Sequence, residues 1–77
     1  MDKETFVKSV LSTSKISYNN FVIDDYDCDR VYLHIDGKEY DIRTWDIDNK
    51  GIRYTLFEIV GDHGEEIYNG YYPFPKS

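Results

Sequence analysis

The side chains in this sequence that are most able to act in catalysis or to bind a metal are two histidines and one cysteine. His34, His63 and Cys28 are of the types that serve as bases, nucleophiles and zinc ligands. Their spacing supports none of these roles, since a structural zinc site needs four ligands, usually in close pairs. Cys28 also lies between two aspartates, which disfavour its thiolate. The sequence therefore predicts surface or pairing roles for these residues, with no catalytic residue, no metal site and no cofactor.

An aspartate-rich segment, residues 25–29, has the D-x-D-x-D start of a calcium-binding loop. Such a loop also needs Gly at its sixth position and an acid, usually Glu, at its twelfth. Here those positions are Arg30 and Asp36, and the flanking sequences read as strands rather than helices. An EF-hand is therefore not favoured, although a looser cation site stays open as an alternative. No glycine-rich phosphate loop is present, and we expect a protein that is not an enzyme.

The acidic residues are concentrated in one part of the chain, residues 24–48. This stretch has nine acidic against three basic residues, a formal charge of −6, and the rest of the chain is balanced. Carboxylates on neighbouring strands can be spaced about 6–7 Å apart, similar to the phosphates of a nucleic-acid strand. Such a surface attracts a basic groove on a partner. The alternative interpretation is a solvated acidic surface that aids solubility.

Composition limits the class of protein further. With 77 residues the chain has room for one domain, residues 1–77, and 17% aromatic residues indicate that it folds. A net charge of −6 argues against direct binding to nucleic acid, which needs clustered Lys and Arg. The single cysteine, the lack of an apolar run long enough for a membrane span, and an N-terminus without signal-peptide features favour the cytoplasm.

These residues are positioned by a predicted α+β fold, in which a short N-terminal helix packs on a four- to five-stranded antiparallel meander. Residues 2–13 are predicted to be helical, with Asp2 as the cap and an apolar stripe that includes Phe6 and Val10. Asp36-Gly37 is a strong hairpin signal. The predicted strands are 21–26, 30–35, 38–47, 52–60 and 65–72.

The hairpin turns also predict which strand residues lie opposite each other. Around Asp36-Gly37, Ile35 pairs with Lys38, Leu33 with Tyr40 and Val31 with Ile42. After the turn at 48–51, an unbroken register pairs residues as follows: Ile47 with Ile52, Trp45 with Tyr54, Arg43 with Leu56, Ile42 with Phe57, and Tyr40 with Ile59. That register leaves Trp45, Tyr54, Ile47, Ile52 and Leu56 on a face that the helix does not cover. Either this face is an exposed aromatic patch, or the sheet coils and buries Trp45 in a second small core.

In size, single-domain organisation and acidity, the chain resembles the small acidic inhibitors encoded by phages and mobile elements, anti-CRISPR proteins among them. The residues behind the resemblance are the run Asp24-Asp25-Tyr26-Asp27-Cys28-Asp29 and its continuation to Asp48. Many such proteins look like nucleic-acid mimics that occupy a basic groove on a nuclease. The resemblance is one of general character and transfers no functional residue. It implies a nucleic-acid-handling partner, such as a CRISPR effector nuclease, in the bacterial host cytoplasm.

Our first hypothesis is therefore a non-enzymatic inhibitor that binds a basic groove of a partner protein, without contacting nucleic acid or a membrane. The expected partner-binding residues are Asp24, Asp25, Asp27, Asp29, Asp36, Glu39, Asp41, Asp46, Asp48, Trp45 and Tyr54, with the C-terminal tyrosines as further anchors. A second hypothesis is a small accessory subunit, or a homodimer, that uses the aromatic face. A third is an immunity protein against a basic toxin nuclease, which relies on the same physics as the first.

Overall fold

A computed structural model describes residues 2–75 and shows one helix followed by five strands. The elements are α1 (Lys3–Thr13), β1 (Phe21–Asp27), β2 (Arg30–Ile35), β3 (Lys38–Ile47), β4 (Gly51–Val60) and β5 (His63–Pro73). The strands form a single antiparallel sheet in the order β1-β2-β3-β4-β5. The predicted α+β meander is confirmed, with five strands, and its element bounds lie within two residues of those expected.

The helix begins where its sequence predicts. The carboxylate of Asp2 accepts a hydrogen bond from the Glu4 backbone N–H at 3.2 Å and from the Thr5 hydroxyl at 2.8 Å. It thereby satisfies one of the N–H groups that have no partner inside the helix. The predicted apolar stripe turns towards the sheet and is almost fully buried; its members are Phe6, Val7, Val10 and Leu11.

The core is the layer between α1 and one face of the sheet. Its centre is aromatic, because the ring of Phe6 makes edge-on contacts with Tyr54 and Tyr72 at centroid distances of 5.8 Å and 5.2 Å. Edge-to-face pairs of this kind add to the free energy that area burial supplies. The sheet residues buried in this layer are Val31, Leu33, Ile35, Ile42, Ile52, Tyr54, Leu56 and Tyr72.

The β2–β3 hairpin has the register that its turn predicts. Residues opposite each other include Ile35 with Lys38 and Val31 with Ile42. Both turn residues have positive φ, 49° at Asp36 and 85° at Gly37. That geometry is the one a two-residue hairpin turn requires, and it matches the right-handed twist of the flanking strands.

The predicted register between β3 and β4 is wrong beyond its first pair. Ile47 lies opposite Ile52 as expected, but the register shifts between Thr44 and Asp46, so that Thr44 rather than Trp45 faces Tyr54. Trp45 is the extra residue of a β-bulge. The other expected pairs shift accordingly: Ile42 lies opposite Leu56, Arg43 opposite Thr55, and Tyr40 opposite Glu58.

The bulge changes which face β4 presents to the helix. Because side chains alternate along a strand, a shift of one residue moves every side chain beyond it to the other face. Ile52, Tyr54 and Leu56, which the unbroken register leaves on the uncovered face, are instead in the core with at most 2% exposure. Trp45 is 61% exposed, so it is not buried in a second small core.

Candidate functional site

Two turns of the meander lie at the same end of the sheet, and each has two aspartates at or beside it. Successive turns alternate between the two ends, so the β1–β2 and β3–β4 turns share one end. Asp27 and Asp29 flank the first turn, and Asp46 and Asp48 flank the second. We call these four residues the acidic end. All four are exposed.

The bulge residue Trp45 lies in the acidic end. The backbone N–H of Thr44 donates to the carbonyl of Asp29 at 2.9 Å, which ties the β1–β2 turn to β3 next to the bulge. A shallow cleft of about 370 Å³ between them is lined by Asp27, Asp29, Arg30, Arg43, Thr44 and Trp45. Ile47, two residues further along, is 56% exposed. The acidic end therefore combines carboxylates with an apolar surface.

Asp46 and Asp48 also have structural partners. The carboxylate of Asp48 accepts hydrogen bonds from the backbone N–H groups of Lys50 and Gly51 at 2.7 Å and 2.9 Å. These bonds favour the ionised form, and they lower the pKa of Asp48 below its ordinary value of 3.8. Asp46 lies 3.9 Å from the Arg53 guanidinium, in an exposed ion pair. Of the four aspartates, Asp48 thus has a clear role in forming its turn.

Asp41 is not available to a partner, contrary to the prediction. It is 1% exposed on the sheet face opposite α1. One carboxylate oxygen lies 3.0 Å from the Nε of Arg43 and 3.7 Å from the Nε of Arg30. These two arginines face each other directly across β2 and β3, so the buried carboxylate offsets the repulsion between like charges.

The pairing of Asp41 with Arg30 and Arg43 was not predicted from the sequence, although the sequence contains a signal for it. The correct β2–β3 register places Arg30 opposite Arg43, and Asp41 lies two residues before Arg43 on the same face. Both guanidiniums also lie over aromatic rings, Arg30 over Tyr32 at 5.5 Å and Arg43 over Phe57 at 4.9 Å. The hydrogen bond to Tyr32 raises the pKa of Arg30, so its charge is held.

The other predicted acids lie away from the acidic end or have partners within the chain. Asp24 and Glu39 flank His34, which contacts the first through Nδ1 and lies 3.8 Å from the second through Nε2. Asp36, in the turn at the opposite end of the sheet, accepts the backbone N–H groups of residues 19 and 20. Asp25 accepts the backbone N–H of the residue that follows it. The acidic residues of the segment 24–48 are therefore distributed over both ends and the middle of the sheet.

Tyr54 is the second predicted contact residue that the fold withdraws from the surface. It is 1% exposed and packs between α1 and β5. Burial raises the pKa of its phenol above the ordinary value, because the phenolate would lose its hydration. Of Trp45 and Tyr54, only Trp45 is exposed; among the C-terminal tyrosines, which were further predicted anchors, Tyr71 is 38% exposed and Tyr72 is buried.

The residues first considered for chemistry are at the surface. Cys28 and His63 are exposed, and His34 is half-buried. Among residues 2–75, no three or more His, Cys, Asp or Glu side chains are grouped in a way that could hold a metal ion. No helix in the same part of the chain is long and apolar enough to cross a membrane.

Comparisons with known proteins give no match: no family model, no curated protein and no solved structure is significantly similar to this chain.

Proposed function

We propose that this protein is a non-enzymatic inhibitor that occupies a basic nucleic-acid-binding groove of a partner protein. The observation that carries the proposal is the acidic end, where four exposed aspartates on two turns share one end of the sheet with the exposed indole of Trp45. A nuclease or another enzyme that handles nucleic acid has a groove of the complementary charge. A phage-encoded anti-CRISPR role and an immunity role against a toxin nuclease are both instances of this function.

The acidic end supplies the charge that such a partner would recognise. Within residues 2–75, the carboxylates of Asp27 and Asp29 take part in no hydrogen bond and no ion pair with another side chain. A partner can therefore contact them without breaking a hydrogen bond or an ion pair, although the charge of Asp29 also contributes to the raised pKa of Arg30. Exposed charges of this kind mainly accelerate encounter and fix orientation, and salt screens them.

Trp45 supplies an apolar contact that charges alone do not provide. Its side chain is 61% exposed. Interfaces typically place a few aromatic anchors at the centre and polar groups at the rim. At the acidic end, Trp45 lines one cleft together with charged side chains, among them Asp27 and Asp29.

The exposed indole of Trp45 also supports the second candidate, an accessory subunit or homodimer held by apolar contact. The two candidates differ in salt dependence, because apolar contacts are not screened. A homodimer through Trp45 would also make the apparent molar mass depend on protein concentration. Light scattering over a range of concentrations measures that mass.

The test of the proposal is capture of partners from a bacterial lysate, at low and at high salt, followed by mass spectrometry. We expect a basic nucleic-acid-handling protein that is retained at low salt and released at high salt. Recovery of the protein alone, or capture that high salt does not weaken, would contradict the proposal and favour the second candidate.

A further inference from the structure

We infer that the edge strand β1 takes up an extended segment of the partner as a further strand of the sheet, through the free backbone groups of Phe21 and Ile23. This inference rests on the proposed function, because the segment belongs to the same basic partner. The segment places an apolar side chain in the groove between β1 and α1, and basic side chains beside the acids of β1.

The β2–β3 hairpin determines which backbone groups of β2 bond to β1. Its two-residue turn makes Ile35 and Lys38 a hydrogen-bonded pair, so the N–H and C=O groups of Ile35 point towards β3. Because this direction alternates along a strand, the same groups of His34 point towards β1. Val22 lies opposite His34, and its own N–H and C=O groups therefore point towards β2.

The backbone groups of Phe21 and Ile23, on either side of that residue, consequently point away from the sheet. The N–H of Asp36 donates to the carbonyl of Asn20 at 3.0 Å, which is the bond that the same alternation requires. Within residues 2–75, no turn, loop or side chain bonds to the N–H or C=O of Phe21 or Ile23. Two donors and two acceptors are thus free on this edge.

A groove lies beside these free groups. It has a volume of about 420 Å³, and Phe21, Ile23 and Tyr18 line its β1 side. Glu4 and Lys8 line its α1 side and form an ion pair at 3.3 Å, so they balance each other in charge. The aromatic contacts of α1 are with β4 and β5, on the far side of the sheet, and Phe21 and Ile23 are left only partly buried against the core. An added strand places alternate side chains in the groove, and an apolar one there extends the core.

The edge is open only at the start of β1. The register shifts between Ile23 and Asp25, which marks a β-bulge at Asp24. Further along, the N–H of Tyr26 already donates to the Asp25 carboxylate at 2.8 Å. Bulges and charged side chains of this kind protect edge strands from indiscriminate pairing. The backbone contact is therefore confined to residues 21–23, where the groove is.

The charges of β1 favour a basic segment over a second copy of the chain. Asp24, Asp25 and Asp27 give this strand three carboxylates and no basic residue. Lys3 of α1 lies over the Tyr26 ring at 4.1 Å, and the strand still has an excess of negative charge. Pairing of β1 with β1 of a second copy would bring three carboxylates from each chain onto neighbouring strands, where like charges are destabilising. Lysine or arginine in the added segment is attracted instead.

The experiment follows amide hydrogen exchange of the whole protein by NMR, with three hexapeptides as probes. One alternates lysine and valine, the second alternates glutamate and valine, and the third alternates lysine and proline, which removes half of the backbone donors without changing the charge. We expect the lysine–valine peptide to slow exchange of the Phe21 and Ile23 amides about tenfold or more, and to leave the amides of the other edge strand, β5, within about twofold. The other two peptides should slow neither amide at the same concentration.

A matched pair of variants tests the charge of the segment. D25N/D27N should weaken binding of the lysine–valine peptide about threefold or more, because two cross-strand charge pairs are lost and the side-chain oxygen that accepts the Tyr26 N–H is kept. E65Q/E66Q removes the same charge from exposed residues of β5, and should weaken binding less than twofold. Circular dichroism and thermal melting check that both variants fold as the wild type does.

Several results would overturn the inference. Unchanged exchange of the Phe21 and Ile23 amides at millimolar lysine–valine peptide, equal slowing by the lysine–proline peptide, or equal losses in the two variants would each exclude a basic strand at β1. Slow exchange of both amides in the protein alone would show that the edge is already covered. Salt-sensitive capture of a basic partner alongside any of these results would leave the proposed function standing. Protection by the lysine–valine peptide without such capture would count against the proposed function alone.

Discussion

At the scale of single residues, the carboxylates of the acidic stretch differ in what they contact. Asp36 and Asp48 accept backbone N–H groups and form turns. Asp41 is buried under two guanidiniums, where it neutralises a pair of like charges. Asp27 and Asp29 are exposed at the acidic end without such bonds. Function is therefore expected to depend on the last pair, and stability on the others.

The role of Asp48 can be measured through its pH dependence. Its folded-state pKa is lowered by the N–H groups of Lys50 and Gly51, so its contribution to stability is present above its unfolded-state value of 3.8. That contribution is lost as the pH falls through the lower, folded-state value. We expect D48N to be less stable than wild type at pH 7, and the difference to narrow below about pH 4.

Urea unfolding at several pH values measures this difference. D62N is the control, because Asp62 is fully exposed in the β4–β5 turn and its carboxylate is paired, within residues 2–75, only with the neighbouring His63. A D48N deficit that stays constant from pH 7 to pH 3 would show that charge on Asp48 does not contribute to the turn.

At the scale of the elements, local signals predict the fold up to the bulge in β3. The helix cap at Asp2 and the Asp36-Gly37 hairpin are short-range features, and both are correct. The bulge at Trp45 carries no glycine or proline to mark it. It lies beside the hydrogen bond between Thr44 and Asp29, a contact between distant parts of the chain that propensity and alternation do not encode.

The candidate site was predictable to the same extent. The charge concentration between residues 24 and 48 is visible in the sequence, whereas the sequence leaves open whether Trp45 is exposed or buried in a second small core. The burial of Tyr54 and Asp41 is not, because each depends on the packing of other strands. Alternation alone divides the acids between two faces, and only the fold shows that the two turns share one end.

The burial of Tyr54 leads to a test in β5, the strand that lies next to it. Tyr54 packs against Gly70, which lies opposite it, and a Cβ at that position would be 2.5 Å from the Tyr54 Oη. Because Tyr54 is buried and cannot move aside cheaply, we expect Gly70→Ala to lower the free energy of unfolding by about 1–3 kcal/mol. Chemical denaturation measures this change.

The matched control for that substitution is Gly64→Ala in the same strand. A Cβ at Gly64 would approach Phe57 no closer than 3.4 Å, an ordinary contact. We expect Gly64→Ala to leave the free energy of unfolding nearly unchanged. An unchanged unfolding free energy in Gly70→Ala would contradict the packing of Tyr54 against Gly70.

At the scale of the whole molecule, the principal dimensions are 39 × 24 × 21 Å, and both ends of the sheet carry acids. Only the end with the β1–β2 and β3–β4 turns combines them with an exposed tryptophan. An interaction driven by net charge alone would treat the two ends alike. An interaction centred on the acidic end would be weakened by D27N/D29N and not by D62N/E65Q at the opposite end, although the two variants carry the same total charge.

The most direct measurement is therefore capture of partner proteins from a bacterial lysate at low salt by three forms of the protein, with quantitative mass spectrometry. The forms are wild type, D27N/D29N and D62N/E65Q. We expect D27N/D29N to lose most of the basic nucleic-acid-handling partner that wild type retains, and D62N/E65Q to retain it. Equal retention by all three forms, or equal loss in the two variants, would contradict binding through the acidic end.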